Sequence, residues 1–140
     1  MKMYHGTSNA SYHNIIGPPT NVDVTMGGGE LGRGLYLGKD VSLAASWAFG
    51  RNNFNSVVLE FDIDDSAYSI LSKKEITSEK KVNRLWKCLN KRKLKRTFLF
   101  CFDVVVAPFA TIKGGRQFKF ESIASQNLLN NNKLTIITKI

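Results

Sequence analysis

Residues 32–48, "GRGLYLGKDVSLAASWA", contain the pattern that decides the fold. The short apolar run Leu35–Leu37 favours a β-strand. Asp40 follows where a helix N-cap is expected, and it predicts a helix over Val41–Phe49 that ends at Gly50. The stretch therefore predicts a strand that leads directly into a helix.

Strand and helix patterns alternate along the rest of the chain. Five further segments rich in branched and aromatic residues predict strands at Lys2–His5, Ser56–Ile63, Thr97–Val106, Gln117–Glu121 and Leu134–Thr138. Three segments predict helices at Ala10–Ile16, Ser78–Arg92 and Ile123–Leu129, the last capped by Ser122. Turn-rich connections such as "FDIDDS" and "APFATIKGG" replace crossover helices, so we expect one α+β domain over residues 1–140 with split or mixed, mainly antiparallel sheets.

The composition is that of an ordinary globular protein, with 43% hydrophobic and 22% charged residues. No apolar run is long enough to span a bilayer, and the first residues lack the apolar core of a signal peptide, so we expect a cytoplasmic protein without a membrane partner. Cys88 and Cys101 lack metal-ligand spacing, and we expect buried, reduced thiols and no metal site.

The net charge of +9 comes from one segment. Residues 73–96 contain eleven Lys and Arg against two Glu, and the remainder of the chain is neutral. Apolar residues at helical spacing place the cations on the outer face of the Ser78–Arg92 helix. This face is either solvated or a surface for nucleic acid or an acidic partner. The candidate target-binding residues are Lys87, Lys91, Arg92, Lys93, Lys95 and Arg96.

Several common reaction centres do not fit the sequence. Gly27 and Gly32 have the spacing of a phosphate loop, but Arg33 and Gly34 occupy the positions of its Lys and Ser/Thr. The motifs of serine hydrolases, zinc proteases and EF-hands do not occur. His5 remains, because it is followed at once by Gly6, Thr7 and Ser8 at a predicted strand end, a common place for ligand contacts.

Three sequence blocks, in order, resemble the ADP-ribosyltransferase superfamily in its His-Tyr-Glu branch, which includes the poly-ADP-ribose polymerases. The blocks are "YHGTS" at 4–8, "GRGLYLGKDVSLAASWA" at 32–48 and "RQFKFESIASQNLL" at 116–129. A small bacterial branch is more similar still, through "VLEFDIDD", "LWKCLNKRK" and "DVVVAPFA". The resemblance implies split, mainly antiparallel sheets with a cleft for the co-substrate NAD.

The resemblance also implies roles for individual residues. His5 matches the histidine that hydrogen-bonds a ribose hydroxyl, and Gly6 the residue whose backbone holds the nicotinamide carboxamide. Tyr36 matches the tyrosine beneath the nicotinamide, and Trp47 a second stacking aromatic. The implied NAD-binding set, completed by two neighbouring residues, is His5, Gly6, Thr7, Gly34, Tyr36 and Trp47.

The third block departs from the pattern of the polymerases. Gln117 stands where they carry a catalytic glutamate, as in the small bacterial relatives. A carboxylate stabilises the oxocarbenium character that develops when the nicotinamide bond breaks, whereas glutamine accepts a hydrogen bond without negative charge. Glu121 is a lesser candidate, because it lies four positions further along the strand than Gln117. The candidate catalytic residues are His5, Tyr36, Gln117 and Glu121.

We therefore expect a mono-ADP-ribosyltransferase that modifies a protein or nucleic-acid acceptor. Relatives of this size act as toxins, effectors or members of toxin–antitoxin pairs, which implies an antitoxin or immunity partner and action in the cytoplasm of the producing or target cell. Two alternatives stay open. One is an NAD or ADP-ribose-binding module without turnover, and the other is a basic nucleic-acid-binding protein with a vestigial cleft.

Overall fold

The computed structural model describes residues 1–140, which form nine strands and five α-helices. The strands are β1 Lys2–Ser8, β2 Gly28–Gly29, β3 Gly32–Arg33, β4 Leu35–Gly38, β5 Ser56–Ile63, β6 Lys73–Glu75, β7 Val104–Pro108, β8 Arg116–Phe120 and β9 Thr135–Lys139. The helices are α1 Asn9–Ile16, α2 Val41–Asn52, α3 Asp65–Ile70, α4 Glu79–Lys91 and α5 Ile123–Asn130, with a short 3-10 helix at Asn53–Asn55.

The chain divides into two compact units. The first unit comprises Met1–Val22, Gly38–Ile70 and Asn127–Ile140, and the second comprises Asp23–Leu37 and Leu71–Gln126. The pairs β1–β4, β1–β5, β2–β3, β5–β9 and β7–β8 are antiparallel, and the pair β6–β7 is parallel. The predicted α+β class with mainly antiparallel pairing is confirmed.

In the first unit, β1 pairs with β5 along its whole length, and β5 pairs with β9. β5 alternates buried and more exposed residues, as its sequence pattern predicts, and Leu59, Phe61 and Ile63 lie in the core. Asp40 caps α2 by accepting the backbone N–H groups of Ser42 and Leu43. Sequence reasoning thus located the strand and the helix start of this unit.

In the second unit, β7 pairs with β6 on one side and with β8 on the other. Residues 104–107 are all buried, which fits a strand covered on both faces. The helix α4 packs Val82 against a core cluster that includes Leu31 and Val105. Ser78 caps this helix by accepting the N–H of Lys81, so the predicted amphipathic helix is confirmed almost to the residue.

Several element boundaries were predicted wrongly. The strand expected at Thr97–Val106 begins only at Val104, because the Glu121 carboxylate takes the backbone N–H groups of Phe100 and Phe102. Gly50 does not end α2, which continues to Asn52, and His5 does not end β1, which continues to Ser8. The helix α3, the strand β6 and the β2–β3 ribbon were not predicted.

The cysteines were also predicted wrongly, since both thiols are exposed rather than buried. Cys88 lies on α4 outside the stripe formed by Val82 and Leu89, which faces the core. Cys101 lies in the bend before β7 with a positive φ of 66°. No helix in the structure combines the length and hydropathy that a bilayer crossing needs.

Candidate functional site

The sequence block His5-Gly6-Thr7 lies within β1 in the first unit, beside the helix α2 that carries Trp47. The alternation of hydrogen bonds along β1 follows from the residue just before the strand, since Met1 and Ile63 exchange N–H···O bonds of 2.8 Å in both directions. Hydrogen-bonded pairs alternate along an antiparallel ladder, so His5 and Thr7 direct their peptide groups toward β5. The peptide groups of Gly6 consequently point toward the opposite edge of β1.

The hydrogen bonds of β5 show the same alternation. Val58 stands opposite Gly6, and its carbonyl accepts the N–H of Ile140 at 3.1 Å, on the side of β5 away from β1. On the other edge of β1, Tyr4 stands opposite Gly38. The N–H and C=O of Gly6 therefore lie on the edge of β1 that faces away from β5.

Gly6 is also required for packing. A Cβ atom at Gly6 would lie 2.1 Å from the carbonyl oxygen of Ala44 and 3.0 Å from the Cβ of Ala48, both on α2. No side chain fits at the first distance, because the obstacle is backbone. The glycine lets the helix approach β1 closely, a structural role beside the one implied by the resemblance.

Trp47 lies on α2 and is half-buried. The guanidinium carbon of Arg51, one helical turn later, lies 5.9 Å from the centre of its ring, within the range of a cation–π contact. Arg51 also lines a cavity of about 560 Å³ with Ser8 and His13. Sequence reasoning missed Arg51 and the asparagines after it, although the polar run "RNNFN" at 51–55 was a visible signal.

Tyr36 lies on β4 in the second unit, enclosed by the glycine-rich ribbon. Its hydroxyl donates to the carbonyl of Gly32 at 2.6 Å and accepts the N–H of Leu31 at 3.0 Å. A Cβ atom at Gly29 would lie 2.6 Å from Cζ of the tyrosine ring. Burial raises the pKa of the Tyr36 phenol, so the neutral hydroxyl persists at physiological pH. The glycines near the tyrosine thus let the backbone wrap its ring.

Gly34 brings β4 close to β8, since a Cβ there would lie 2.8 Å from the carbonyl oxygen of Phe120 and 2.8 Å from Cγ of Lys119. The third-block residue Gln117 lies on β8 and is only 2% exposed. Its amide nitrogen donates to Glu30 Oε1 at 2.9 Å and to the carbonyl of Pro108 at 3.1 Å.

Glu30 is a residue of this cluster that sequence reasoning missed. Besides the Gln117 amide, its carboxylate accepts the N–H of Ala110 at 2.7 Å and the N–H and hydroxyl of Thr111. Its position among the glycines before β3 was the only sequence signal. The cluster combines one half-buried carboxylate with four donors, so the negative charge is fully engaged in hydrogen bonds.

Glu121 follows β8 and forms a buried ion pair with Lys119, whose Nζ lies 2.6 Å from Glu121 Oε2. The same ammonium donates to the carbonyl of Leu31 at 2.8 Å and lies 5.0 Å from the ring centre of Phe100. Burial lowers the pKa of Lys119, and the adjacent Glu121 carboxylate opposes that shift. In this structure Glu121 organises residues 98–103, through the N–H groups described above.

The six candidate target-binding residues between Lys87 and Arg96 are all exposed. Arg92 ends α4 as its C-cap, and Lys93 follows with a positive φ of 57°. Nη1 of Arg96 donates to the carbonyl of Met26 at 3.4 Å. The chain contains no group of three or more His, Cys, Asp or Glu arranged to hold a metal ion.

The predicted residues thus fall into one set in each unit. His5, Gly6, Thr7 and Trp47 lie in the first unit. Gly34, Tyr36, Gln117, Glu121 and the basic residues lie in the second. No protein-family model and no curated protein matches this chain.

Proposed function

We propose that this chain is a mono-ADP-ribosyltransferase that moves ADP-ribose from NAD to a macromolecular acceptor. The observation that carries the proposal is the edge of β1 at Gly6. One residue directs an N–H donor and a C=O acceptor to the same side, away from β5. A carboxamide offers the complementary pair, since its oxygen accepts and its NH2 group donates.

Nicotinamide carries such a carboxamide, and recognition through a strand edge needs no particular side chain at that position. Gly6 carries no side chain, and the close approach of α2 leaves no space for one. Its peptide groups lie in the plane of the sheet and are free of that obstruction. His5, the preceding residue of β1, is proposed to bind the ribose, and Trp47 on the adjacent helix is proposed to stack on the nicotinamide ring.

The proposed reaction breaks the bond between C1′ of the ribose and N1 of nicotinamide. The bonding electrons leave with the nicotinamide ring and neutralise its positive charge. An acceptor oxygen or nitrogen forms the new bond at C1′ and releases its proton to water. The ribose acquires oxocarbenium character on the way, so a nearby negative charge accelerates the step.

The resemblance assigns the electrostatic part of the proposal to the third block, in which Gln117 lies. Gln117 brings no charge to the third block, but its amide is hydrogen-bonded to the Glu30 carboxylate at 2.9 Å. Glu30 thereby keeps one negative charge beside the position where the polymerases carry theirs. Synthesis of long polymers is not proposed, because the third-block glutamate itself is replaced.

A second candidate is an NAD or ADP-ribose-binding module without turnover. It is favoured by the burial of Gln117, which is 2% exposed and has its amide engaged by Glu30 and Pro108. This module would share the carboxamide contact of Gly6 but would release no nicotinamide. Measurement of binding and cleavage in the same sample separates the two candidates.

Two dinucleotides test the carboxamide contact. Nicotinic acid adenine dinucleotide differs from NAD only in a carboxylate that cannot donate to the Gly6 carbonyl, so we expect NAD to bind at least tenfold more tightly by calorimetry. Addition of NAD should also shift the amide resonance of Gly6. Equal affinities for the two dinucleotides would contradict the proposal.

Tagged NAD incubated with the protein and a bacterial lysate tests transfer. We expect label in a macromolecular fraction, released nicotinamide, and loss of both with His5→Ala, while His13→Ala at an exposed position of α1 retains them. Binding without label or nicotinamide would select the non-catalytic module. A role as a toxin or effector, with an antitoxin or immunity partner and action in a cytoplasm, belongs to the same proposal and follows from the resemblance.

A further inference from the structure

The strongest charged feature outside the proposed NAD site is the basic surface, which we define as the nine Lys and Arg side chains of residues 80–96. All nine are exposed, and this segment contains no Asp or Glu. It therefore carries a charge equal to the whole net charge of the chain, +9. Such a concentration of one sign creates a field that attracts polyanions.

The charge of the basic surface is not neutralised within the protein, because none of its nine residues takes part in an ion pair. Three carboxylates of the same unit are engaged elsewhere. Glu75 pairs with Arg116 at 2.7 Å, Glu121 pairs with Lys119, and Glu30 accepts its four hydrogen bonds.

The spacing of the cations suits a regular polyanion. Lys80, Arg84, Lys87 and Lys91 recur at the intervals that place residues on one side of a helix. They span about 16 Å at 1.5 Å per residue. A nucleic-acid duplex presents roughly ten phosphates over that length.

The surface lacks the features of a protein or membrane contact. The apolar side of α4 is used internally, where Val82 is fully buried in the core cluster. Large hydrophobic side chains that are exposed occur elsewhere in the chain, and none lies between residues 73 and 96. Protein interfaces are depleted in lysine and anchored by apolar or aromatic groups, and membrane-surface helices insert an apolar face.

The basic surface also adjoins the ribbon around Tyr36, within the same unit. A Cβ atom at Gly28 would lie 2.7 Å from the carbonyl oxygen of Lys95 and 2.8 Å from Cγ of Arg96. A Cβ atom at the next residue, Gly29, would lie 2.6 Å from the Tyr36 ring. Two consecutive glycines, Gly28 and Gly29, thus pack against Lys95 and Arg96 of the basic surface and against the ring of Tyr36.

We propose that the basic surface binds the phosphate backbone of a nucleic acid. That this nucleic acid is also the ADP-ribose acceptor rests on the proposed function, because the surface leads to the ribbon that holds Tyr36. The binding itself is independent of NAD.

Fluorescence anisotropy with labelled RNA duplex, DNA duplex and single-stranded RNA, at several salt concentrations and without NAD, tests the proposal. We expect tight binding to at least one probe, with an affinity that falls linearly on a log-log plot against salt. The variant Arg84→Gln/Lys87→Gln should lower the slope by about two and weaken binding roughly tenfold or more at 0.1 M salt. Lys113→Gln/Lys133→Gln removes the same charge from exposed positions outside the surface and should retain the affinity.

Three results would overturn the proposal. They are absence of binding to every probe, an equal loss in both double variants, and equally tight binding of polyglutamate, which would identify an acidic protein as the partner. Because NAD is absent from these measurements, failure here leaves the discrimination between NAD and its nicotinic acid analogue unaffected.

Discussion

The amide nitrogen of Gln117 donates a hydrogen bond of 2.9 Å to the carboxylate of Glu30, a residue 87 positions earlier in the chain. A glutamine can donate this bond, whereas an ionised glutamate cannot. A glutamine at position 117 therefore has a structural reason, because Glu30 already supplies a carboxylate beside it.

Replacement Gln117→Glu should destabilise the protein rather than simply restore a catalytic group. Two carboxylates in contact repel, which raises the pKa of one above the ordinary carboxyl value. With a raised pKa the folded variant binds more protons than the unfolded chain. The variant should therefore lose about 1–3 kcal/mol of the free energy of unfolding at neutral pH, and this loss should shrink as the pH falls toward 4. Urea unfolding at several pH values measures it.

The double exchange Glu30→Gln/Gln117→Glu provides the control. It keeps one carboxylate and one amide in the cluster, and it should recover most of the free energy of unfolding at neutral pH. Parental stability of Gln117→Glu alone would show that the hydrogen bond between the two residues does not matter. Under the proposed function, the double exchange is the better variant for an assay of NAD cleavage.

Replacement Lys119→Met should strongly destabilise the second unit. The side chains of Lys119 and Glu121 are 0% and 2% exposed, so the change leaves a buried carboxylate without its cation. Removal of one partner from a buried pair costs about 3–5 kcal/mol. Lys113→Met, at an exposed position, should change the free energy of unfolding by less than about 0.5 kcal/mol. Similar small changes in urea unfolding for both variants would contradict a stabilising role for the pair.

Replacement Tyr36→Phe isolates the hydroxyl from the ring. Loss of the hydroxyl leaves the Leu31 N–H and the Gly32 carbonyl without this partner, at a cost of about 1–3 kcal/mol. Under the proposed function the remaining ring should retain the affinity for NAD, whereas Tyr36→Ala should lower both the stability and that affinity. Tyr12→Phe on α1 is the matched control for thermal unfolding. A Tyr36→Phe protein as stable as the parent would show that the two hydrogen bonds contribute little.

Replacement Asp103→Asn should lower the melting temperature of the protein by an amount that depends on pH. Burial alone would raise the pKa of Asp103, but hydrogen bonds from Ser122 and Ser72 hold it below the ordinary value of 3.8. A lowered pKa in the folded state means that the contribution is present above pH 3.8 and disappears as the pH falls through the folded value. The difference in melting temperature between parent and variant should therefore shrink below about pH 4. A difference that is constant with pH would contradict this assignment.

The sequence by itself determined the elements whose stability is mainly local. Alternating apolar residues predicted β5 at Ser56–Ile63, and the apolar stripe with the Ser78 cap predicted α4. Both patterns reflect periodicities of 2 and 3.6 residues that any segment must satisfy when one face is buried. The location of the excess charge also followed from sequence, because a Lys-rich helix face has no favourable place except the surface.

Tertiary structure decided the conformation of those segments, and the position of those site residues, that depend on contacts with distant parts of the chain. Residues 97–103 have the composition of a strand, yet Glu121 binds their N–H groups and turns them into a bend. Glu30 became a site candidate only when the fold brought it to Gln117, and β6 exists only because β7 lies alongside. No periodic pattern encodes these contacts, since a single hydrogen bond between segments far apart in the chain leaves no repeat in either one.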